Sequence, residues 1–165
     1  MYVYFVRQNI KNDARNDIMT KEIFLKQVKG NTFAAKAGSN HWVMMDTKAE
    51  VGGHDSASSP KDLLLMSLAG CTSMDVIPIL RKKKAPVIGY ECHVKAIERD
   101  EHPKIFTEIH VEYIFYGDDI KPEDVERAID LSVTKYCSVS AILSASAKLT
   151  HSYRIESAAK LLAFQ

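Results

Sequence analysis

The chain has 165 residues, and its 22 basic and 21 acidic side chains give a formal net charge of +1, so it offers no uniform field of the kind that draws nucleic acid or an anionic membrane surface. A hydrophobic content of 46% fits one globular domain spanning residues 1–165, able to bury roughly two thirds of its unfolded surface. Its three cysteines, Cys71, Cys92 and Cys137, are too few and too scattered for a disulfide scaffold, and no CxxC or paired Cys/His spacing points to zinc, so neither metal nor cofactor is expected.

Residues 1–18 open with the alternating YVYFV and then turn polar, which reads as an edge strand or a poorly ordered leader. The opening segment lacks the charged-then-apolar layout of a signal peptide, and no run is read as reaching the ~18–20 apolar residues of a membrane span. Together these imply a cytoplasmic location. From Lys21 onward, EIFLKQV, TFAAKA and HWVMMD, separated by Gly30-Asn31 and Gly38-Ser39-Asn40, predict a three-stranded meander. Trp42 is expected to pack against the core. Residues 49–59, rich in Gly and Ser, read as a flexible loop in which His54 is solvated.

The stretch from Ser58 to Lys84 predicts one long helix. Ser58 or Ser59 can cap it, Pro60 suits the first helical position, where no intrahelical partner awaits an N–H, and Asp62 complements the positive end. Leu64, Leu65, Leu68, Met74, Ile77 and Ile79 leave almost no polar side, so the helix is expected to be buried nearly all round. Pro78 removes one backbone hydrogen bond and predicts a kink one turn beyond Cys71. The basic run Arg81 to Lys84 suits the helix end, and Pro86 with Gly89 stops it. Next comes a hairpin, VIGYECHVKAIER and KIFTEIHVEYIFY, in which alternation puts Tyr90, Cys92, Val94 and Ala96 on one face, making Cys92 structural and His93 and His110 exposed. A second helix starts at Pro122, with Cys137 at or just past its end. SVSAILSAS then predicts a short helical turn capped by Ser138 or Ser140, and AKLTHSYRIE a closing strand with His151 on its core face. The tail from Ser157 is either a short amphipathic end or frayed.

A cysteine inside an apolar helix is as readily packing as chemistry. Two thiols that meet in space are more suggestive. Reduction of a peroxide by a thiol needs a stabilised thiolate, a pocket for the O–O group and a second thiol to condense with the sulfenic acid. Cys71 can supply the first and Cys137 the third. Burial and Asp75, one turn further along the same helix face, both raise the Cys71 pKa, so some cation must offset them. No P-loop, GxSxG, HExxH or GxGxxG motif is present.

The segments SPKDLLLMSLAGCTSMDVIPIL and KPEDVERAIDLSVTKYCSVSAIL, with the hairpin between them, resemble the family of osmotically inducible protein C and organic hydroperoxide resistance protein (OsmC/Ohr). The strongest marks are a Pro-led helix with its first cysteine eleven residues after the proline and the late YCSVS segment. The resemblance spans about residues 20–156. It implies an α+β fold with antiparallel sheets wrapped around two central helices in an intertwined homodimer, the active sites lying at the subunit interface. A dimer is also expected because the long helix is too apolar for one thin layer to cover. The resemblance further implies a cysteine-based peroxidase acting on organic hydroperoxides, with Cys71 peroxidatic, Cys137 resolving, and an external dithiol as reductant. Members of the family carry a glutamate after the helix-starting proline, paired with an arginine from the N-terminal strands. Here Lys61 stands at that position with Asp62 beside it, both candidates for supporting roles, and no arginine occurs between Arg15 and Arg81. This pattern resembles the YhfA-like branch. Two other functions fit a chain that lacks the charge pair: a protein binding a small molecule or thiol ligand in the dimer pocket, and a redox sensor.

Overall fold

A computed structural model describes residues 20–162 of the chain; the expectation for residues 1–18 lies outside them. The chain forms two compact units, one ending at Ser59 and one beginning at Pro60.

The first unit holds β1 (Phe24–Lys29), β2 (Thr32–Lys36) and β3 (Trp42–Met45). They pair antiparallel in chain order, as the three turn-bounded apolar runs predict. Trp42 departs from expectation: it is 45% exposed. Its ring is flanked by the ammonium groups of Lys26 and Lys36, at 4.8 and 5.2 Å from the centroid, and by the edge of Phe24. Strand alternation places these residues on one side of the meander, where cation–π attraction replaces core packing.

The loop after β3 is ordered by one carboxylate rather than left loose. Asp46, only 1% exposed, accepts from the Thr47 N–H at 2.7 Å, the Ser56 hydroxyl at 2.6 Å, the backbone N–H groups of His54 and Ser56 at 3.1 and 3.2 Å, and the Thr32 hydroxyl at 3.1 Å. His54 is half-exposed, as expected, with Nδ1 3.3 Å from the Thr32 hydroxyl. Gly53 permits the close return of the loop, since a Cβ there would lie 1.9 Å from the Thr47 carbonyl oxygen.

The second unit runs α1 (Pro60–Lys82), β4 (Gly89–Glu98), β5 (Phe106–Tyr116), α2 (Pro122–Leu131), a π-helical turn at Ser132–Tyr136, α3 (Ser138–Leu143), β6 (Lys148–Glu156) and α4 (Ala158–Leu162). Pro60 and Pro122 each stand at the first helical position, where a missing N–H costs nothing. The tail beyond Ser157 is therefore helical through Leu162.

The chain is α+β. Strands β4 and β5 are antiparallel, with Cys92 opposite Tyr113, whereas β5 and β6 are parallel, with Val111 opposite His151. Parallel neighbours need a crossover connection, and α2, the π-turn and α3 provide it.

Residues on one face of each element make the core: Leu68, Val76 and Leu80 of α1, Ile109, Val111, Tyr113 and Phe115 of β5, Val125 and Ala128 of α2, and Leu143 of α3. Two expectations for α1 are corrected. It is not buried all round in the single chain, because only the stripe Leu68, Thr72, Val76 and Leu80 is fully covered, while Met66 and Met74 are 54% and 79% exposed. Its 23 residues also have the length and mean hydropathy, 1.8, of a membrane span, contrary to the reading that no run reaches that length. The polar residues Thr72, Ser73 and Asp75 nevertheless lie within it, and its buried stripe packs on the sheet, as in a core helix. The helix continues through Pro78.

The hydrogen bonds to Asp46 hold its carboxyl well below the usual carboxylate range, the Ser56 hydroxyl first among them and burial opposing. A lowered folded pKa adds stability that is present above the unfolded value of about 3.9 and is lost as the pH falls towards the folded value. The melting temperature of Asp46→Asn should thus lie below that of the wild type at pH 7, and the gap should narrow below about pH 4. A gap independent of pH from 7 to 3 would contradict this account.

Candidate functional site: a dithiol beside a carboxylate

Residues four apart on a helix share a face, and α1 uses this spacing to put Cys71 next to Asp75. The third member comes from the crossover. After α2 the backbone widens into the π-turn, and the Cys137 N–H closes it by donating to the Ser132 carbonyl at 2.8 Å. Cys137 then serves as N-cap of α3, its Sγ accepting the Ser140 N–H at 3.3 Å. The cap expected of Ser138 or Ser140 is therefore a thiol. The two sulfurs and a carboxylate oxygen of Asp75 all lie within 4.8 Å of one another.

The donors around this triad are short-range and specific. The Ser132 hydroxyl donates to Asp75 Oδ2 at 3.0 Å, and the Val139 N–H points at the Cys71 sulfur and favours its anion. Against that, burial, the adjacent Cys137 thiol and the Asp75 carboxylate push the Cys71 thiol above its ordinary value. Among the described residues, the groups acting most on this sulfur, Cys137, Val139 and Asp75, include no cation. Cys71 is half-buried and Cys137 buried, and no disulfide joins them.

Beneath the dithiol lies a polar band that alternation alone does not reveal. Buried Thr72 donates back to the carbonyls of Leu68 and Ala69, both at 3.2 Å. Ser73 meets the Tyr90 hydroxyl at 2.8 Å. Burial raises the pKa of Cys92, which faces Ser73 and Thr72, and that of Tyr113, whose hydroxyl also faces Thr72. Tyr113 in turn lies 3.2 Å from His151 Nδ1. His151 lies on the core face expected and is partly buried, but its Nε2 is buried without a hydrogen-bond partner among the described residues; its pKa is lowered first by burial and then by His110. Cys92 packs against the core, as its strand face predicts.

Lys61 and Asp62 stand apart from the triad. Lys61 Nζ is ion-paired with Glu98 and lies 5.6 Å from the centre of the Phe106 ring. Asp62 is in the first turn of α1, about 13 Å of helix rise before Cys71. Reasoning from the sequence missed Ser132, Val139 and Ser140, since their roles depend on the π-turn. Asp75 was detectable from its helical spacing.

With this geometry in view, the likenesses to known proteins fall into one pattern. Residues 53–152 match the family described as OsmC-like protein. Protein YhfA of Escherichia coli strain K12 is 38% identical over 134 residues, which cover 81% of this chain and 97% of that protein. The crystal structure of a hypothetical protein from Aquifex aeolicus VF5 superposes with a TM-score of 0.75 at 31% identity, covering 85% of this chain and 98% of that one. An organic hydroperoxide resistance protein, OsmC, from Legionella pneumophila shares the fold, with a TM-score of 0.63 at 12% identity over 84% of this chain and 98% of the other. The family match over most of the chain and the identity to YhfA lead to one conclusion: this protein belongs to the OsmC-like family.

Proposed function

We propose that the protein is a thiol-dependent hydroperoxide reductase acting in the cytoplasm as a homodimer. The observation that carries this reading is the approach of Cys71, Cys137 and Asp75 to within 4.8 Å of one another, which puts a second thiol where a sulfenic acid would form. Structures of organic hydroperoxide resistance proteins with the same fold support the substrate class.

The Cys71 thiolate attacks the outer oxygen of an organic hydroperoxide. The O–O bond breaks, an S–O bond forms, and the alkoxide leaves as alcohol once it takes a proton. Cys71 is then a sulfenic acid. Attack of the Cys137 sulfur on it forms the disulfide and releases water. An external dithiol restores both thiols by exchange and is itself oxidised. The backbone N–H groups of Val139 and Ser140 stabilise negative charge on the two sulfurs. Asp75 does the reverse, favouring the protonated thiol. Lys61 and Asp62 lie at the start of α1, too far along the helix to act directly on the sulfur. The exposed Met66 and Met74 of α1 are the surface a second copy would cover.

With an organic hydroperoxide and a dithiol reductant, Cys71→Ser should lose more than about a hundredfold in turnover. Cys137→Ser should accumulate a sulfenic acid that a dimedone-type reagent traps. Equal turnover by the wild type and Cys71→Ser would sink the reading, and a ligand found by native mass spectrometry in such an inactive protein would favour a binding function.

Because the Cys71 thiol is raised, it is mostly protonated at neutral pH, and its alkylation should accelerate as pH climbs past the ordinary thiol range of about 8.5. Removing the carboxylate charge in Asp75→Asn should move that profile to lower pH. A profile that stays put would show that Asp75 does not act on the thiol.

A further inference from the structure

We infer that the reduced site binds a thiophilic divalent cation of the zinc class, with Cys71, Cys137 and Asp75 as its three protein ligands. This goes beyond the peroxidase reading and does not depend on turnover.

Geometry is the first support. Tetrahedral zinc has Zn–S bonds near 2.3 Å and Zn–O bonds near 2.0–2.2 Å, which sets its donor atoms about 3.5–3.8 Å apart. The three donor atoms here already lie within 4.8 Å of one another, so small side-chain rotations close the set. Two come from one helix face and the third from the crossover, a scaffold of packed elements rather than a surface loop.

The chemistry of the donors is the second support. Two thiolates and one carboxylate favour zinc, cadmium or cobalt over magnesium or calcium, which prefer an all-oxygen shell. Such a set also leaves the fourth position open to water or a small ligand, as three-ligand zinc sites do.

The outer contacts are the third. The Ser132 hydroxyl holds the Asp75 carboxylate at 3.0 Å, the Ser140 N–H donates to the Cys137 sulfur at 3.3 Å, and the Val139 N–H faces the Cys71 sulfur. Each ligand thus has a hydrogen-bonding partner of the kind that orients the ligating side chains of metal sites. Two thiols and a carboxylate are gathered here within 4.8 Å of one another. A divalent ion would replace the thiol protons as it binds. The sequence pattern gave no hint of this, because the donors combine an i, i+4 pair with a cysteine sixty-six residues further on.

The test uses the reduced full-length protein under anaerobic conditions, with cobalt(II) as probe and no peroxide present. One equivalent should give a thiolate-to-cobalt charge-transfer band that zinc(II) abolishes and magnesium(II) does not. The band should be lost or weakened in both Cys71→Ser and Cys137→Ser and unchanged in Cys92→Ser. Asp75→Asn should bind at least about tenfold more weakly, with circular dichroism confirming that each variant is folded. As a measurement free of substitutions, zinc should slow alkylation of Cys71 in the wild type. The inference is overturned by absence of the band, by a band of undiminished intensity in either cysteine variant, or by unchanged affinity in Asp75→Asn. Binding without turnover leaves the metal site standing while the peroxidase reading falls; turnover without binding does the opposite.

Discussion

Because β5 and β6 run parallel, the chain between them must cross back over the sheet, and that crossover brings Cys137 to Cys71. The constraint is topological before it is chemical. An antiparallel connection would need only a short turn and would leave no room for α2, the π-turn and α3 against α1. Val125 and Ala128 hold the crossover down by filling the core beside Val76 and Leu80, and burial of that kind contributes about 1.5–3 kcal/mol for each large apolar side chain. Helix α1 accordingly presents one stripe to the sheet and crossover, and positions between that stripe and the surface carry the reactive groups.

Charge is distributed unusually around those groups. A thiol meant to ionise is commonly helped by a nearby cation or a helix N-terminus. Here Lys61, which follows the helix-starting Pro60, is paired with Glu98, and Asp75 acts on Cys71 in the wrong direction for ionisation. Among the largest influences on this sulfur, the Val139 N–H alone opposes the rest. Both proposed roles meet the same electrostatic problem: a hydroperoxide takes the electron pair when the thiolate appears, and a divalent cation neutralises the charge outright.

Much of this fold was legible in the sequence, for identifiable reasons. Pro60, Pro122 and the turn residues around Gly30 and Gly38 mark boundaries through backbone chemistry that tertiary context seldom overrides. Alternation placed Cys92, Val94 and His151 on the correct faces. Trp42 was misplaced because its partners, Lys26, Lys36 and Phe24, converge only through strand pairing. The coverage of α1 was overread because composition reports how apolar a helix is, not how much of it one chain can bury. At the site, the two cysteines and Asp75 were visible as residues, but Ser132, Val139 and Ser140 gain their roles from the π-turn, which leaves no signature in propensity or periodicity.

The thiol cap of α3 joins secondary structure to redox state. A helix of six residues is far below the length that holds itself together in water, about 12–15 residues, so α3 relies on packing and on its first turn. That turn is closed by an acceptor whose electron density changes with every chemical state of Cys137: thiol, thiolate, disulfide or metal ligand. An ordinary serine cap would be indifferent to such changes. Substituting sulfur for oxygen at this one position makes the end of a helix part of the electron accounting, and gives the fold a local gauge of whether the site is spent or ready.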